Sequence, residues 1–569
     1  MGGPPGSQAA PLPVNLPFRL VSKTIGSGAY ASVRRACPLN RSSPVIAVKF
    51  INKDHAFRAG RLRPKQLHLE LSLHHIVSGH HNIVRYFSHG EDPAWVWLCL
   101  ELAEGGDLFD KIEADEGCSE DVAHLYFTQL VNAIGWCHSK GVAHRDIKPE
   151  NMLLSSDGDL KLADFGLATQ FAVPGRSERK KCAMVCGSPP YIAPEILAVG
   201  HKNAKRKLQG EDKEGYDPDR SDVWSIAVVL FVLLAGNTPW DMPDAKQSFE
   251  FYDYIKTNSR PKDELWQKVP TEALSLLRGM LKVEPAERFM LPEVRTHPWF
   301  TRKNPEVTAD GKVANPINLA TQMMESLRIN FDAQIPASQQ PRSSDTMDID
   351  PKSTLDPGWT KFASTQPETP VADTPFDWEA PTRTNAISAS QPTRTDHDRQ
   401  STMSQLTQAE LLGLLTEDPS MSQFSQLPIG SMTATQQARR FNDIAPSHSL
   451  ARFISHFTMP HLLPLLVSAL HRLNIPVATP AAAALEGREH TVSLRIKTTD
   501  ARQQLLQGTI VVERIQIGGL SSYTQAEVLE VRFLKAKGDP LGWRRLFKQV
   551  AVLCKDALPR PVRSVESQM

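Results

Sequence analysis

The chain has 569 residues, 41% of them hydrophobic, which is enough for more than one hydrophobic core. Its 64 Lys and Arg nearly cancel its 63 Asp and Glu, so no global field favours nucleic acid or a membrane surface as the main partner. Seven cysteines with no CxxC pair argue against a disulfide framework and against a structural zinc site.

The N-terminal sequence shows no targeting or membrane pattern. No apolar run approaches the ~20 residues of a membrane span, and the start MGGPPGSQ has neither a signal-peptide core nor a myristoylation pattern. We therefore expect a soluble intracellular protein. Residues 1–17 contain five prolines and little apolar content, which predicts disorder.

A glycine-containing hairpin is the first predicted element, over residues 20–33. Gly26 and Gly28 lie near its tip, with Ala31 after them. Glycine has no Cβ, so such a tip can approach phosphate groups closely. Two glycines alone would indicate only a turn.

A buried-looking strand at residues 45–50 carries a single charge, on Lys49. A lone charge in such a strand is unfavourable unless it has a partner. Between positions 55 and 90 the only acidic residue is Glu70, inside a leucine-rich helical pattern. The sequence therefore predicts a Lys49–Glu70 ion pair.

Two helices and a further strand follow. Residues 95–102 are typical of a strand, and residues 119–140 and 219–236 of helices. The second helical pattern is hydrophobic nearly all round, which predicts a central buried helix. Asp222 at its start cannot be buried unsupported, and we expect it to accept backbone hydrogen bonds from the loop that contains residues 144–151.

The segment HRDIKPEN, residues 144–151, is followed by Asp164-Phe165-Gly166. Together these motifs indicate phosphoryl transfer, which needs a carboxylate to receive a hydroxyl proton and oxygen ligands for a divalent metal. Asp146 is the candidate general base. Asn151 and Asp164 are the candidate Mg²⁺ ligands.

By these motifs, residues 18–300 resemble a eukaryotic protein kinase. The resemblance implies an α+β, bilobal fold, with ATP and Mg²⁺ as cofactors and Lys148 against the transferred phosphate, as in Ser/Thr kinases. Lys49 and Glu70 would then position the α- and β-phosphates. The resemblance also implies a nucleotide pocket made by Gly26, Gly28, Val33, Ala47 and Leu100, with the backbone of Glu101 and Ala103 at the adenine.

Two further acids fall where basophilic kinases of this kind hold an arginine three residues before the phosphoacceptor. These are Asp107 and Glu150, and two carboxylates there would favour Arg over Lys through bidentate pairing. The alternative is that both are solvated surface acids.

The activation segment, residues 164–195, offers few hydroxyls for a regulatory phosphate near Arg145. The candidates are Thr169, Ser177 and Ser188, and our hypothesis is that activity does not depend on phosphorylation there. By resemblance, Glu195 and Arg288 form a buried ion pair. Residues 201–215 are highly charged, which predicts a solvated insertion or, alternatively, a nuclear-import patch.

Residues 301–440 have few apolar residues with any period, which predicts a disordered regulatory linker. Nine of the twelve glutamines between positions 321 and 436 directly follow Ser or Thr, where a random order gives about three. Such a cluster resembles the targets of large checkpoint kinases that phosphorylate Ser/Thr-Gln; a generic polar tail is the alternative. The pairs begin at Thr321, Ser338, Thr365, Ser390, Ser404, Thr407, Ser422, Ser425 and Thr435.

The last block, residues 447–565, regains structural patterns. A helix-like run at 450–473 precedes three alternating segments and a second helix-like run at 540–558, which predicts a small α+β domain. Its local sequences resemble the C-terminal kinase-associated domain of the checkpoint kinase 1 family. Such domains fold back on their own kinase or bind anionic lipid. Five basic residues could serve either use or form a solvated face: Lys535, Lys537, Arg544, Arg545 and Lys548.

The overall prediction is a checkpoint kinase 1-like Ser/Thr kinase of basophilic protein substrates, inhibited by its own C-terminal domain and activated by Ser/Thr-Gln-directed upstream kinases. We expect a monomer in the nucleus and cytoplasm, without direct contact to nucleic acid. One alternative is an energy-sensing or polarity-type kinase, which predicts a threonine in the middle of the activation loop and no Ser/Thr-Gln cluster. Another is a non-catalytic scaffold, which should lack Lys49, Asp146 or Asp164, yet all three are present.

Overall fold

The computed structural model describes residues 12–28, 31–58, 62–209, 211–329, 331, 367–368, 423–424, 440–445, 449–478, 490–499, 505–517 and 526–559. Within them the chain forms a sheet-rich lobe, a helical lobe and a C-terminal α+β unit. The predicted α+β class is therefore confirmed.

The first lobe is built on an antiparallel sheet in the order β1-β2-β3-β5-β4. A two-residue strand of the linker, residues 367–368, pairs with β1 at Ser27 and Gly28. The main helix α2 covers one face of the sheet, where Leu67 and Leu71 pack with Ile51. The elements of this lobe are β1 Phe18–Gly28, β2 Ala31–Pro38, β3 Ile46–Asn52, α1 Lys53–Arg58, α2 Pro64–Val77, β4 Tyr86–Glu91 and β5 Trp95–Glu101.

The opposite face of this sheet also carries a hydrophobic cluster. Phe50, Trp95 and Trp97 form it, and Leu12 and Leu16 pack against them. The prediction of disorder was therefore wrong for residues 12–17, because two leucines there find an apolar surface that the sequence does not reveal. Residues 1–11 lie outside the described part of the chain.

The second lobe surrounds α5, in which only Arg220 is not buried. This confirms the predicted central helix, which ends where Gly236 adopts the left-handed conformation, φ 65°. The elements are β6 Gly106–Asp107, α3 Glu120–Ser139, β7 Val142–Ala143, β8 Met152–Leu154, β9 Leu160–Leu162, β10 Thr169–Gln170, α4 Pro194–Gln209, α5 Pro218–Ala235, α6 Phe249–Lys256, α7 Glu264–Gln267, α8 Thr271–Met280, α9 Leu291–Thr296 and α10 Pro298–Thr301.

The structure also bears on membrane spans and on the state of the cysteines. None of the helices in the described ranges is both long and apolar enough to cross a membrane. All seven cysteines lie in those ranges, and each is a free thiol.

Two charged or polar segments of this lobe are helical. The charged residues 201–209 continue helix α4 and are mostly exposed, as expected for a solvated insertion. Residues 301–329, predicted as linker, contain helix α11, Pro316–Ser326, which the Asn315 side chain caps. Leu319, Met323 and Met324 lie in the main core of the helical lobe. The structured kinase unit therefore extends well past residue 300.

The C-terminal unit has a four-stranded antiparallel sheet in the order β12-β15-β14-β13. The three alternating segments are strands as predicted, but residues 450–473 are not all helical, because a short strand precedes the helix. This strand pairs along β15 and so completes the sheet. The elements, with β11 Pro367–Glu368 and α12 Phe441–Ile444 before them, are β12 Arg452–Ser455, α13 Met459–Arg472, β13 Thr491–Thr499, β14 Leu505–Ile517, β15 Ala526–Lys537 and α14 Pro540–Leu553.

The packing of α11 predicts that Leu319→Ala destabilises the kinase unit. Removing a fully buried leucine side chain should lower the free energy of unfolding by about 2–4 kcal/mol. Urea unfolding followed by tryptophan fluorescence measures this. Glu325→Ala, on the exposed side of the same helix, is the matched control and should change stability by less than about 0.5 kcal/mol. Equal stabilities of the two variants would contradict the packing role of α11.

Candidate active site

The predicted lysine–glutamate pair is present. Strand β3 carries Lys49 and helix α2 carries Glu70, and Nζ lies 2.8 Å from Oε1 of Glu70. The same Nζ lies 3.2 Å from Oδ1 of Asp164. Burial raises the pKa of Glu70, and the Lys49 charge opposes this rise. Lys49 thus joins the two lobes through carboxylates of distant elements.

Asp146 lies at the centre of a small polar cluster in the loop after β7. Its Oδ2 is 2.8 Å from Nζ of Lys148, and its Oδ1 accepts a hydrogen bond from the Ser188 hydroxyl at 3.1 Å. Lys148 in turn donates to Ser188 at 3.0 Å. Burial alone would lower the pKa of Lys148, but the Asp146 and Glu150 carboxylates outweigh it, so the pKa rises and the ammonium stays charged.

The contact of Ser188 with Asp146 was not anticipated. The two residues are 42 positions apart in sequence, and the serine belongs to the activation segment. The only available signal was the position of Ser188 in CGSPPYIAPE, where the family resemblance implies a substrate-docking hydroxyl. The hydroxyl fixes the activation segment against the catalytic loop.

The candidate metal ligands, Asn151 and Asp164, both lie in this site. The Asn151 amide donates to the backbone carbonyl of Asp146 at 2.7 Å, while Asp164 has a left-handed backbone, φ 61°. One amide oxygen and one carboxylate suit a hard cation such as Mg²⁺, which proteins bind with few side chains when phosphates supply the other ligands. In the described ranges, no group of three or more His, Cys, Asp or Glu is placed to hold a metal ion with side chains alone.

Asp222 supports the catalytic loop as predicted. It is fully buried, and its two oxygens accept from the backbone N–H groups of His144 and Arg145 at 2.9 and 2.8 Å. His138, which sequence reasoning missed, adds a third contact at 2.8 Å. The carboxylate therefore holds the loop from its back side.

The predicted nucleotide-binding residues lie along four strands and the connection to the second lobe. Val33 pairs in register with Lys49, and Ala47 with Leu100. The Glu101 N–H donates to the Arg85 carbonyl at 2.8 Å, so a ligand contact of Glu101 falls to its carbonyl oxygen. Ala103 follows directly in the connecting segment. Gly26 and Gly28 belong to β1, opposite β2.

The comparisons with known proteins agree with this geometry. Residues 20–300 match the protein kinase domain family. The chain is 36% identical to the serine/threonine-protein kinase chk1 of Schizosaccharomyces pombe, covering 94% of this chain and 96% of that protein. It is 33% identical to CHK1 of Saccharomyces cerevisiae over 98% and 99% of the two chains. It is also 34% identical to the kinase grp of Drosophila melanogaster, over 49% and 50%.

The chain belongs to the checkpoint kinase 1 family of serine/threonine protein kinases. Membership implies the general use of ATP and Mg²⁺ and of protein substrates. It also removes the scaffold alternative.

Like the catalytic loop, the activation segment of this family member is tied to the helical lobe. Glu195 receives two hydrogen bonds from the Arg288 guanidinium, at 2.8 and 2.9 Å. The Arg288 guanidinium also lies 5.1 Å from the centre of the Trp224 ring. The ion pair implied by the family resemblance is thus confirmed.

The two candidate substrate acids are half-buried rather than freely solvated. Oε2 of Glu150 is buried and has no hydrogen-bond partner among the described residues. Asp107 accepts a hydrogen bond from the Phe109 N–H at 2.8 Å. Burial, with the Asp110 charge, raises the pKa of Asp107 to about 7, against an opposing effect of Lys535 from the C-terminal unit. A positively charged ligand bound here would compensate the negative charge of both acids.

Arg145, the residue that would receive a regulatory phosphate, is already satisfied. Its Nε donates to the Leu167 carbonyl at 2.8 Å, and its side chain also bonds to the Tyr216 hydroxyl. Its guanidinium is therefore held by neutral oxygens of the protein. This agrees with the hypothesis that activation-segment phosphorylation is not needed.

We predict that Ser177→Ala keeps its phosphate-transfer rate within about twofold of the parent protein. Arg145 already has hydrogen-bond acceptors in the protein, so it does not need a phosphate on Ser177. Tyr216→Phe removes a hydrogen bond to a charged group and should lower kcat about tenfold. Initial rates on a serine peptide provide the measurement. Loss of most of the activity in Ser177→Ala would sink the hypothesis.

Proposed function

We propose that this protein transfers the γ-phosphate of ATP to serine or threonine hydroxyls, with Asp146 as the base that receives the hydroxyl proton. The observation that carries the proposal is the Asp146 carboxylate held between Lys148 and Ser188. Held this way, the carboxylate is oriented, and the ammonium group of Lys148 can stabilise negative charge on the transferred phosphate.

The remaining site residues bind the nucleotide and metal. Asn151 and Asp164 would hold Mg²⁺, which neutralises phosphate charge when bound. Lys49, oriented by Glu70, binds the α- and β-phosphates. The pocket residues Gly26, Gly28, Val33, Ala47 and Leu100 enclose the nucleotide, and the backbone of Glu101 and Ala103 binds adenine.

Asp107 and Glu150 select the substrate in this proposal. Asp107 lies at the end of strand β6, after the connecting segment, and Glu150 lies in a short helical turn of the catalytic loop. The buried, unpartnered oxygen of Glu150 supports a role in binding a guanidinium. We propose that they bind an arginine three residues before the phosphoacceptor.

The C-terminal unit inhibits the kinase by docking beside these acids. Helix α14 brings Arg545 to Asp115, with Nε and one terminal nitrogen each 2.7 Å from a carboxylate oxygen. Arg544 and Lys548 reach the fully buried Glu113 at 3.2 and 2.8 Å. A buried carboxylate between two cations is strongly destabilised when either is removed, which favours a closed form.

The docked unit also affects the substrate acid itself. The charge of Lys535, in the C-terminal unit, acts to lower the pKa of Asp107. This cation would therefore compete with a substrate arginine for the same carboxylate. Leu541 of α14 lies in the main core of the helical lobe, together with Phe109. Inhibition would therefore act on substrate binding, while Lys49, Glu70 and Asp164 stay assembled.

Release follows from phosphorylation of the linker by Ser/Thr-Gln-directed kinases in DNA-damage checkpoint signalling. The clustering of Ser/Thr-Gln pairs and the names of the fungal relatives support this part. Added negative charge would shift the equilibrium from the closed to an open form. A nuclear location and a monomeric state complete the proposal.

The substrate proposal predicts that a serine peptide with arginine at the third position before the serine is phosphorylated more efficiently than its alanine counterpart. Glu150→Gln should reduce this preference roughly 10- to 100-fold, the effect of a charge-assisted contact. The ratio of kcat/KM for the two peptides gives the answer. Glu104→Gln is the control, an exposed acid nearby, and Asp146→Ala defines the background. A ratio unchanged by Glu150→Gln would remove this acid from specificity.

The docking proposal predicts that Arg545→Ala in the full-length protein raises kcat/KM at least about fivefold, by weakening the closed form. Arg495→Ala, an exposed arginine on β13, should leave the activity unchanged.

A double-mutant cycle tests the contact itself. Asp115 has φ 66°, which asparagine tolerates, so Asp115→Asn is its matched variant. Asp115→Asn should activate like Arg545→Ala, and the double variant no further. Additive activation would mean that the two residues act separately, and activity equal to the parent in all three would exclude inhibition through this contact.

A further inference from the structure

One glutamine of the Ser/Thr-Gln cluster is buried at the contact between the C-terminal unit and the kinase lobe. Gln423, which follows Ser422, is 1% exposed. Its amide nitrogen donates to the Leu450 carbonyl at 2.9 Å, and its amide oxygen accepts from Arg544 at 2.7 Å. Its backbone carbonyl accepts from the Ile329 N–H at 2.8 Å.

The next residue, Phe424, is 2% exposed and lies inside an aromatic cluster. Its ring centre is 6.3 Å from that of Phe331, 6.4 Å from Phe453 and 6.3 Å from Phe547. Phe453 and Phe547 belong to the C-terminal sheet and to α14, and Phe331 follows the kinase unit. Three segments of the chain thus meet around one phenylalanine.

Arg544 connects this dipeptide to the kinase lobe. The same guanidinium that binds Gln423 donates to the Leu327 carbonyl at 3.1 Å and lies 3.2 Å from Glu113. Arg544 is itself 5% exposed. Gln423 therefore supplies an acceptor to a buried cation that would otherwise lose part of its hydrogen bonding.

We infer that Gln423 and Phe424 form a clasp: the dipeptide is buried between the C-terminal unit and Leu327, Ile329 and Phe331. A Ser/Thr-Gln-directed kinase can bind the Ser422-Gln423 pair only after this clasp opens. The inference rests on the proposed inhibition by the C-terminal unit and adds which pair of the nine is coupled to it. The chemistry is direct, because the side chain that such a kinase must bind is the one that Arg544 and Leu450 hold.

The clasp sets an order of events. Opening comes first, and phosphate added beside Gln423 then hinders reburial, because a charged group next to an apolar cluster is unfavourable. Among the described residues, one Ser/Thr-Gln pair is present in full, and its glutamine has a different kind of contact. Thr321 and Gln322 lie in α11, where Gln322 donates to Glu306 within the kinase unit.

The test is site-resolved phosphorylation of the full-length protein by a Ser/Thr-Gln-directed kinase, with Asp146→Ala in every sample to exclude autophosphorylation. Mass spectrometry gives the initial rates at Ser422 and at Ser390. Peptides of residues 417–430 and 385–396, in which no clasp can form, give the intrinsic rate of each site. The protein-to-peptide ratio should be at least about tenfold lower for Ser422 than for Ser390, because modification requires the open fraction.

Two variants open the clasp without changing the sequence around Ser422. Phe331→Ala removes one wall of the aromatic cluster, and Arg544→Gln removes the cation that holds Gln423. Either should raise the rate at Ser422 about tenfold and leave Ser390 unchanged, while Arg495→Ala changes neither. Equal ratios at the two sites in the parent protein, or an equal rise at both sites in the variants, would overturn the inference. Failure of the proposed inhibition would appear separately, as unchanged activity of Arg545→Ala on peptide substrate.

Discussion

The catalytic loop depends on one buried carboxylate. Asp222 is fully enclosed by the helical lobe, where an unsatisfied charge would be strongly destabilising. It is tolerated because two backbone N–H groups of the catalytic loop and the ring of His138 point at it. The carboxylate needs these hydrogen-bond donors, and the loop needs the carboxylate to keep its conformation. Asp146 directly follows Arg145, so these hydrogen bonds also fix the position of Asp146.

From that anchor the site is assembled from elements far apart in sequence. Strand β3 brings Lys49, helix α2 brings Glu70, and the activation segment brings Ser188. The contacts among them are ionic or charge-assisted, so small displacements weaken several at once. The C-terminal unit contacts the helical lobe elsewhere, at Glu113 and Asp115. The catalytic groups and these contacts thus occupy neighbouring but separate surfaces of the helical lobe.

Asp146, Asn151 and Asp164 could be predicted from two motifs at a characteristic spacing, and two other charged residues because they violate the pattern around them. Lys49 is a charge in an apolar strand, Asp222 a charge in an apolar helix, and each therefore demands a partner. Helix α11 was missed although Leu319, Met323 and Leu327 recur at helical spacing after an Asn-Pro start. Its polar surroundings masked the period, and only the surface of the helical lobe gives those side chains somewhere to pack.

Other features had no local signal at all. The Ser188–Asp146 contact depends on how the activation segment folds back, and Gln423 is one of many glutamines in a polar region. Their roles arise from partners brought together by the tertiary structure. Predicted boundaries suffered for the same reason, since Leu12 and Leu16 become ordered only against Phe50 and the tryptophans beside it.

The cations of the C-terminal unit have a consequence for the kinase when the two separate. Asp107, Asp110, Glu113 and Asp115 lie within one short stretch, and in the docked form Lys535, Arg544, Arg545 and Lys548 compensate them. In the proposed open form, residues 107–115 would keep four carboxylates and the single cation Lys111, which makes a net acidic band beside the catalytic loop. Such a band attracts basic polypeptides over a distance of about 8–10 Å at physiological salt and speeds their encounter. The carboxylates that bind the C-terminal unit in the docked form would then attract a basic substrate in the proposed open form.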